Sequence, residues 1–283
     1  MKNLKIAIQK SGRLNEKSVQ LLKNCGLNFE NYKSSLITTV GNFPLEILFL
    51  RDDDIPGYVA QGIADLGIVG ENVIDETQAQ VEYVQRLGFG KCNLKLAIPK
   101  DSDIQDLKDL NGKAIATSYP VILQQFLDEY KIKAEIREIS GSVEISPGLG
   151  LADAICDIVS TGGTLKSNGL KPFADVRSSE AILVGNKNLL GNPILTELLQ
   201  RIQSVLLAKE VKYVVLNVEK INLPKITELL RGVKSPTVVP LAEEGWVAVH
   251  TVISEEDFWE KINRLKTAGA QGIVVMPVEK VIM

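Results

Sequence analysis

Short apolar runs separated by polar turns mark most of the chain. Residues 4–8 are the first such run and predict a strand, followed by the polar turn Gln9-Lys10-Ser11-Gly12-Arg13. A helix is expected from about 15 to 24, with Asn15 as its N-cap and Gly26 where a helix end favours glycine. Residues 36–40 and 45–50 predict two paired strands around the turn 41–44. Residues 55–61 predict a short helix opened by Asp54, with Pro56 in its first turn, and 66–69 predict a buried strand. Further strands are expected at 94–98, 114–117, 134–139, 155–159 and 181–184, with a helix over 121–130 and a polar, partly helical connection over 101–110. Apolar positions 194, 195, 198, 199, 202, 205 and 206 recur at a helical period and predict a connecting helix over 194–208. Strands joined by helices argue for parallel α/β sheets.

One internal echo organises this region. Gly62-Ile63-Ala64-Asp65 precedes the strand 66–69 and the polar loop Gly70-Glu71-Asn72. Gly150-Leu151-Ala152-Asp153 precedes the strand 155–159 and the loop Ser160-Thr161-Gly162-Gly163-Thr164. Each copy has a strand–turn–helix unit upstream, so two lobes facing a cleft are expected. The last stretch reads differently: strand 212–218, helix 223–230, strands 237–241 and 246–252, a helix 255–266 capped by Ser254, and strand 272–276. That βαββαβ order is the ferredoxin-like module, and it suits sensing or oligomerisation better than chemistry.

The 283 residues suit about two domains and a sizeable core. A net charge of −3 disfavours general affinity for nucleic acid or an anionic membrane, while leaving room for a local basic pocket. No apolar run reaches the length of a membrane span, and the N-terminus reads as a strand rather than a signal peptide, so the cytoplasm is the expected compartment. Cys25, Cys92 and Cys156 form no C-x-x-C pair, and the one histidine, His250, excludes a multi-histidine metal site.

The densest chemistry follows Asp157. Ser160, Thr161 and Thr164 supply hydroxyl donors, and Gly162 and Gly163 let backbone N–H groups surround a phosphate. An acid ahead of such a loop fits a ribose 5-phosphate, with Asp157 on the sugar hydroxyls. The loop lacks lysine, so it is not the P-loop of a nucleotide triphosphatase. At the end of the first strand, Lys10 and Arg13 flank Gly12; alone they read as a solvated basic turn, and with a phosphate loop in the opposite lobe they read as an anion site. Arg51 heads Asp52-Asp53-Asp54, three acids that could bind Mg²⁺ or cap the following helix while orienting Arg51; capping and orienting is the favoured reading. Glu71 and Glu144 lie near the corresponding loops, and Tyr119 could stack on a base or simply be half-buried beside Pro120. His250 reads as structural and Cys156 as an inert core residue.

Five stretches carry a resemblance: Ile6 to Leu14, Arg51 to Pro56, Asp65 to Asn72, Ala116 to Pro120, and Ala152 to Leu165. In this order they resemble the ATP phosphoribosyltransferase family, in its long, histidine-regulated form. The resemblance implies a two-lobed core with the topology of periplasmic binding proteins, over residues 1–95 plus about 180–208 and residues 96–179, and a regulatory histidine-binding domain over 209–283. It implies transfer of phosphoribose from phosphoribosyl pyrophosphate to N1 of ATP with Mg²⁺, feedback inhibition by histidine, and interconverting dimers and hexamers. The roles expected are these. Glu144, Asp157, Ser160, Thr161, Gly162, Gly163 and Thr164 hold phosphoribosyl pyrophosphate. Lys10, Arg13 and Arg51 lie among the substrates' phosphates. Gly12, Arg13, Glu71 and Tyr119 line the ATP side. Thr237, Val239 and His250 are candidates for the histidine pocket, and the metal ligands stay open. Two rival readings are a non-catalytic two-lobed anion sensor and a phosphoribosyltransferase acting on another base.

Overall fold

Strand β1 (Leu4–Gln9) buries Leu4, Ile6, Ala7 and Ile8 and stops where its apolar residues stop. In the computed structural model, which describes residues 3–30, 35–159, 163–187, 189, 191–230 and 235–282, helix α1 (Arg13–Asn24) then begins earlier than the Asn15 cap predicts. The reason is Gly12: it adopts φ +91°, and its carbonyl accepts the N–H of Glu16 at 3.2 Å. Asn15 is buried inside the helix, with Nδ2 donating to Gln9 O at 2.5 Å. Gly26 ends the segment as expected, at φ +76° with its N–H on Lys23 O at 2.9 Å.

The chain continues through β2 (Ile37–Thr39), β3 (Leu45–Leu50), a 3-10 turn at Asp52–Asp54, α2 (Ile55–Ala60), β4 (Leu66–Gly70), α3 (Glu71–Thr77) and β5 (Glu82–Arg86). It crosses to β6 (Cys92–Pro99), β7 (Ala114–Thr117), α4 (Pro120–Glu129), β8 (Glu135–Glu138), β9 (Ala154–Val159), α5 (Gly163–Ser167) and β10 (Leu170–Ser179), and returns to β11 (Ala181–Gly185). The first sheet has the order β2-β3-β1-β4-β11-β5 and the second β10-β6-β9-β7-β8. Two crossings between the sheets, at 87–91 and at Glu180, make the periplasmic-binding-protein-like core.

The sheets are mixed, which corrects the parallel expectation. β1 runs parallel to β3 and β4, and β7 to β8 and β9. β11 is antiparallel to β4 and β5, and β6 to β9 and β10, because each crossing re-enters its sheet from the opposite end. Edge strands β5 and β10 escaped the apolar pattern. β10 exposes much of its length, carries Pro172 and shifts register twice, as an edge tolerates. Neighbouring apolar layers hold each sheet: Ile55, Val59, Val69 and Val184 on one, Leu96, Ile115, Leu123 and Phe126 on the other.

Contacts divide the chain into two compact units, Met1–Gln20 with Leu27–Leu195, and Leu21–Gly26 with Thr196–Met283. Helix α6 (Pro193–Glu210) leads into β12 (Val211–Glu219), α7 (Leu223–Leu229), β13 (Thr237–Pro240), β14 (Trp246–Ser254), α8 (Glu255–Thr267) and β15 (Gln271–Pro277). The order β13-β14-β12-β15, antiparallel throughout, is the ferredoxin-like arrangement. Val214, Leu216, Val218, Val247 and Val249 pack on Ile226, Phe258 and Leu265. Ser254 caps α8 as expected, its hydroxyl accepting the N–H of Asp257 at 3.0 Å.

Candidate active site

The parallel strands of the first sheet deliver their candidate residues to one edge. Lys10 N donates to Leu50 O at 2.7 Å, so Lys10 and Arg51 leave adjacent strands side by side. Lys10, Gly12, Arg13 and Arg51 are all exposed. The expected capping by the acids after Arg51 is not made: Asp54 forms no side-chain bond to α2, because the 3-10 turn Asp52–Asp54 runs directly into that helix. The three carboxylates crowd instead. Incomplete hydration, then Asp52 and Asp54, raise the Asp53 pKa, and Arg51 opposes them.

Glu71 is the first residue of α3 rather than part of a loop, since β4 passes straight into that helix. Its carboxylate meets Arg86 at 2.7 Å, and Arg86 reaches Glu180 at 2.8 Å. Glu71 N also donates to Glu180 O at 2.9 Å. Glu71 therefore ties together both crossing segments.

In the second sheet β9 brings Asp157 to the corresponding edge, half-buried, with Oδ1 accepting the N–H of Ile158 at 2.7 Å. Burial raises its pKa first, the Ile158 N–H lowers it, and the charge of Glu144 raises it further. Glu144 lies in the 3-10 turn Val143–Ile145, entered through Ser142 at φ +51°. Gly163 and Thr164 open α5 instead of closing a loop, and Thr164 O accepts from Ser167 Oγ and Asn168 Nδ2, each at 2.9 Å. Ser160, Thr161 and Gly162 lie outside the described residues.

Tyr119 stands at the cap position of α4. It is half-buried, and its pKa is raised by burial first, then by Asp157, Asp52, Cys92 and Asp53. Asp157 belongs to one sheet, and Asp52 and Asp53 follow β3 of the other. At the crossing segments, where Glu71, Arg86 and Glu180 meet, lies a cavity of about 550 Å³, within the usual small-molecule range. Arg86, Lys91, Asn93, Arg177 and Ser179 are among its polar lining residues, and Val159 also lines it. None of those five was singled out by motif. The signal that existed was Lys91 at the end of the glycine-bearing crossing Gly88-Phe89-Gly90-Lys91. Burial raises the Cys92 pKa against a bond from Ser179, so that thiol stays protonated at neutral pH.

Family models match both parts of the chain: HisG, ATP phosphoribosyltransferase, over residues 51–204, and HisG_C, the HisG C-terminal domain, over residues 208–280. The chain belongs to the ATP phosphoribosyltransferase family. It is 56% identical over 281 residues to an ATP phosphoribosyltransferase of Cytophaga hutchinsonii, covering 99% of this chain and 98% of that one. It is 53% identical to one of Bacteroides thetaiotaomicron, covering 99% and 100%. Among solved structures, a chain of the ATP phosphoribosyl transferase (HisG:HisZ) complex from Thermotoga maritima aligns with TM-score 0.61 and 30% identity, covering 71% of this chain and 98% of that one.

The C-terminal candidates of this ATP phosphoribosyltransferase family member come together. Thr237 and His250 are register partners on β13 and β14, and Val239 faces Ala248. Thr237 and Val239 are exposed, while His250 is half-buried with Nδ1 2.9 Å from the Tyr213 hydroxyl. Among the described residues no helix is long and apolar enough to cross a membrane.

Proposed function

We propose that this chain joins the 5-phosphoribosyl group of phosphoribosyl pyrophosphate to N1 of ATP, the entry step of histidine synthesis. The bond from C1 of the ribose to the pyrophosphate oxygen breaks, its electron pair leaves with pyrophosphate, and the N1 lone pair forms the new bond to C1. An oxocarbenium-like state lies between, so stabilisation of the leaving group matters most and no protein nucleophile is needed. The observations that carry this reading are the two family matches, over residues 51–204 and 208–280, on a chain whose Lys10 and Arg51 leave adjacent strands side by side.

In this reading Asp157 and Glu144 accept from the ribose hydroxyls, and Ser160, Thr161, Gly162, Gly163 and Thr164 surround the 5-phosphate. Lys10, Arg13 and Arg51 draw negative charge off the departing pyrophosphate. Gly12, Arg13 and Tyr119 line the ATP side, with Glu71 beside Arg86 at the cavity. Mg²⁺ is the ion we assign. The described residues hold no cluster of three or more ligating side chains, which suits an ion carried mainly by phosphate oxygens and water. When bound, the ion would neutralise charge developing on the leaving group.

We assign residues 1–95 with about 180–208, and 96–179, to the two catalytic lobes, and 209–283 to a regulatory domain that binds histidine near Thr237, Val239 and His250. Assembly into dimers and hexamers and a cytoplasmic location complete the proposal. Incubation with ATP, phosphoribosyl pyrophosphate and Mg²⁺ should release pyrophosphate and generate the absorbance of N1-substituted adenine. An anion sensor would give neither, and transfer to another base would leave ATP unchanged.

A further inference from the structure

Helix α4 begins with donors that its own residues do not satisfy. The first N–H groups of a helix have no intrahelical acceptors. Tyr119, at the cap position, donates its N–H to Thr117 Oγ1 at 2.9 Å, and its side chain makes no capping bond. Pro120 has no N–H to place. Leu123 N makes the first helical bond, to Tyr119 O at 3.0 Å. The two donors left over, Val121 N and Ile122 N, go to Oε1 and Oε2 of Glu76 at 2.9 and 3.0 Å. A carboxylate taking both is the arrangement the positive end of a helix favours.

Glu76 is not a local cap. It sits on α3, which follows β4 of the first sheet, whereas α4 follows β7 of the second. Its neighbour Asp75 also reaches the second lobe, in an ion pair with Arg177 Nε on β10 at 3.1 Å. Two consecutive carboxylates of one short helix thus grip two elements of the opposite lobe.

We propose that Glu76 is a positioning residue: by capping α4 across the lobes it sets their closure and presents Tyr119 to the cleft. The substrate side of this inference rests on the proposed function; the fastening of the lobes does not.

The test compares Glu76→Ala and Glu76→Gln in the full-length chain. Hydrogen exchange in the substrate-free protein should speed up at Val121 and Ile122 in Glu76→Ala by about tenfold or more, the scale of a lost charge-assisted hydrogen bond. Glu76→Gln, which keeps one oxygen acceptor, should fall between. In steady state the KM for ATP should rise by about tenfold in Glu76→Ala, with a smaller change in kcat and in the KM for phosphoribosyl pyrophosphate, and Glu76→Gln should recover part of it. Unchanged exchange at both amides would overturn the fastening. An equal loss for both substrates with no rescue by glutamine would overturn the positioning role. Should the wild-type protein lack transferase activity, the functional reading fails while the exchange measurement still decides the fastening.

Discussion

Asp65 and Lys5 form a closed pair at the start of β1: the Lys5 N–H donates to Asp65 Oδ2 at 2.7 Å, and the Asp65 N–H donates to Lys5 O at 2.9 Å. Asp153 and Ala114 repeat it at the start of β7, with both distances at 2.8 Å. Gly62 and Gly150, each at φ +70°, make the turn that brings the two aspartates into place. The G-[IL]-A-D echo is therefore one device used twice, in which a carboxylate extends the ladder between neighbouring parallel strands.

Asp65→Ala removes the acceptor for a half-buried backbone N–H and should cost about 1–3 kcal/mol, measured by urea unfolding. Asp65→Asn, which retains an oxygen, should cost less. Equal losses in the two variants would show that the bond to Lys5 is not what matters.

Gly67 lies within β4, where a Cβ would meet Ile55 Cγ2 at 2.7 Å, Val59 Cγ2 at 3.0 Å and Val184 Cγ2 at 3.3 Å. All three belong to packed apolar side chains that cannot retreat to solvent. Gly67→Ala should destabilise by about 1–3 kcal/mol through overpacking, seen as a lower midpoint in chemical denaturation.

Asp157 should trade stability for activity. Its folded-state pKa is raised, chiefly by burial, so the group binds protons more readily folded than unfolded. Its contribution to stability is present below the unfolded-state value and lost as pH rises through the folded-state value. At pH 7 the ionised side chain is thus a cost. Asp157→Asn, which keeps an acceptor for Ile158 N, should raise the urea midpoint at pH 7 and change it less in acid. Turnover should move the other way: Asp157→Ala and Thr161→Val should each lower it about 10²-fold, as lost transition-state contacts do. The acid limb of the wild-type kcat/KM profile should lie above the ordinary aspartate range. Normal kinetics in both variants would remove these residues from the site.

Thr237→Ala and His250→Ala should each weaken inhibition by histidine by about tenfold or more, the scale of one lost polar contact, with kcat in the absence of histidine unchanged. Inhibition curves that overlay the wild type would move the histidine pocket away from the paired strands β13 and β14.

Strong local signals were legible. The strand Ala114–Thr117 has the bounds its apolar run predicts, and Ser254 caps α8 as its position before an acidic first turn requires. Local signals also misled. Asn15 had the right chemistry for a cap, but Gly12 could adopt a positive φ and start the helix sooner. Asp54 precedes a proline-containing helix, yet a preceding 3-10 turn left its side chain without a capping bond. Strands β5 and β10 were illegible because an edge strand need not bury alternate residues.

From the chain alone came the motif residues, the repeated α/β unit and the βαββαβ order, because each rests on spacing within a few residues. Folding decided which of those residues meet. Glu71 joins Arg86, which reaches Glu180, and Glu76 caps a helix 45 residues further on. Such pairs depend on two sheets exchanging strands through two crossings, and no periodicity along one segment encodes where another segment will be delivered.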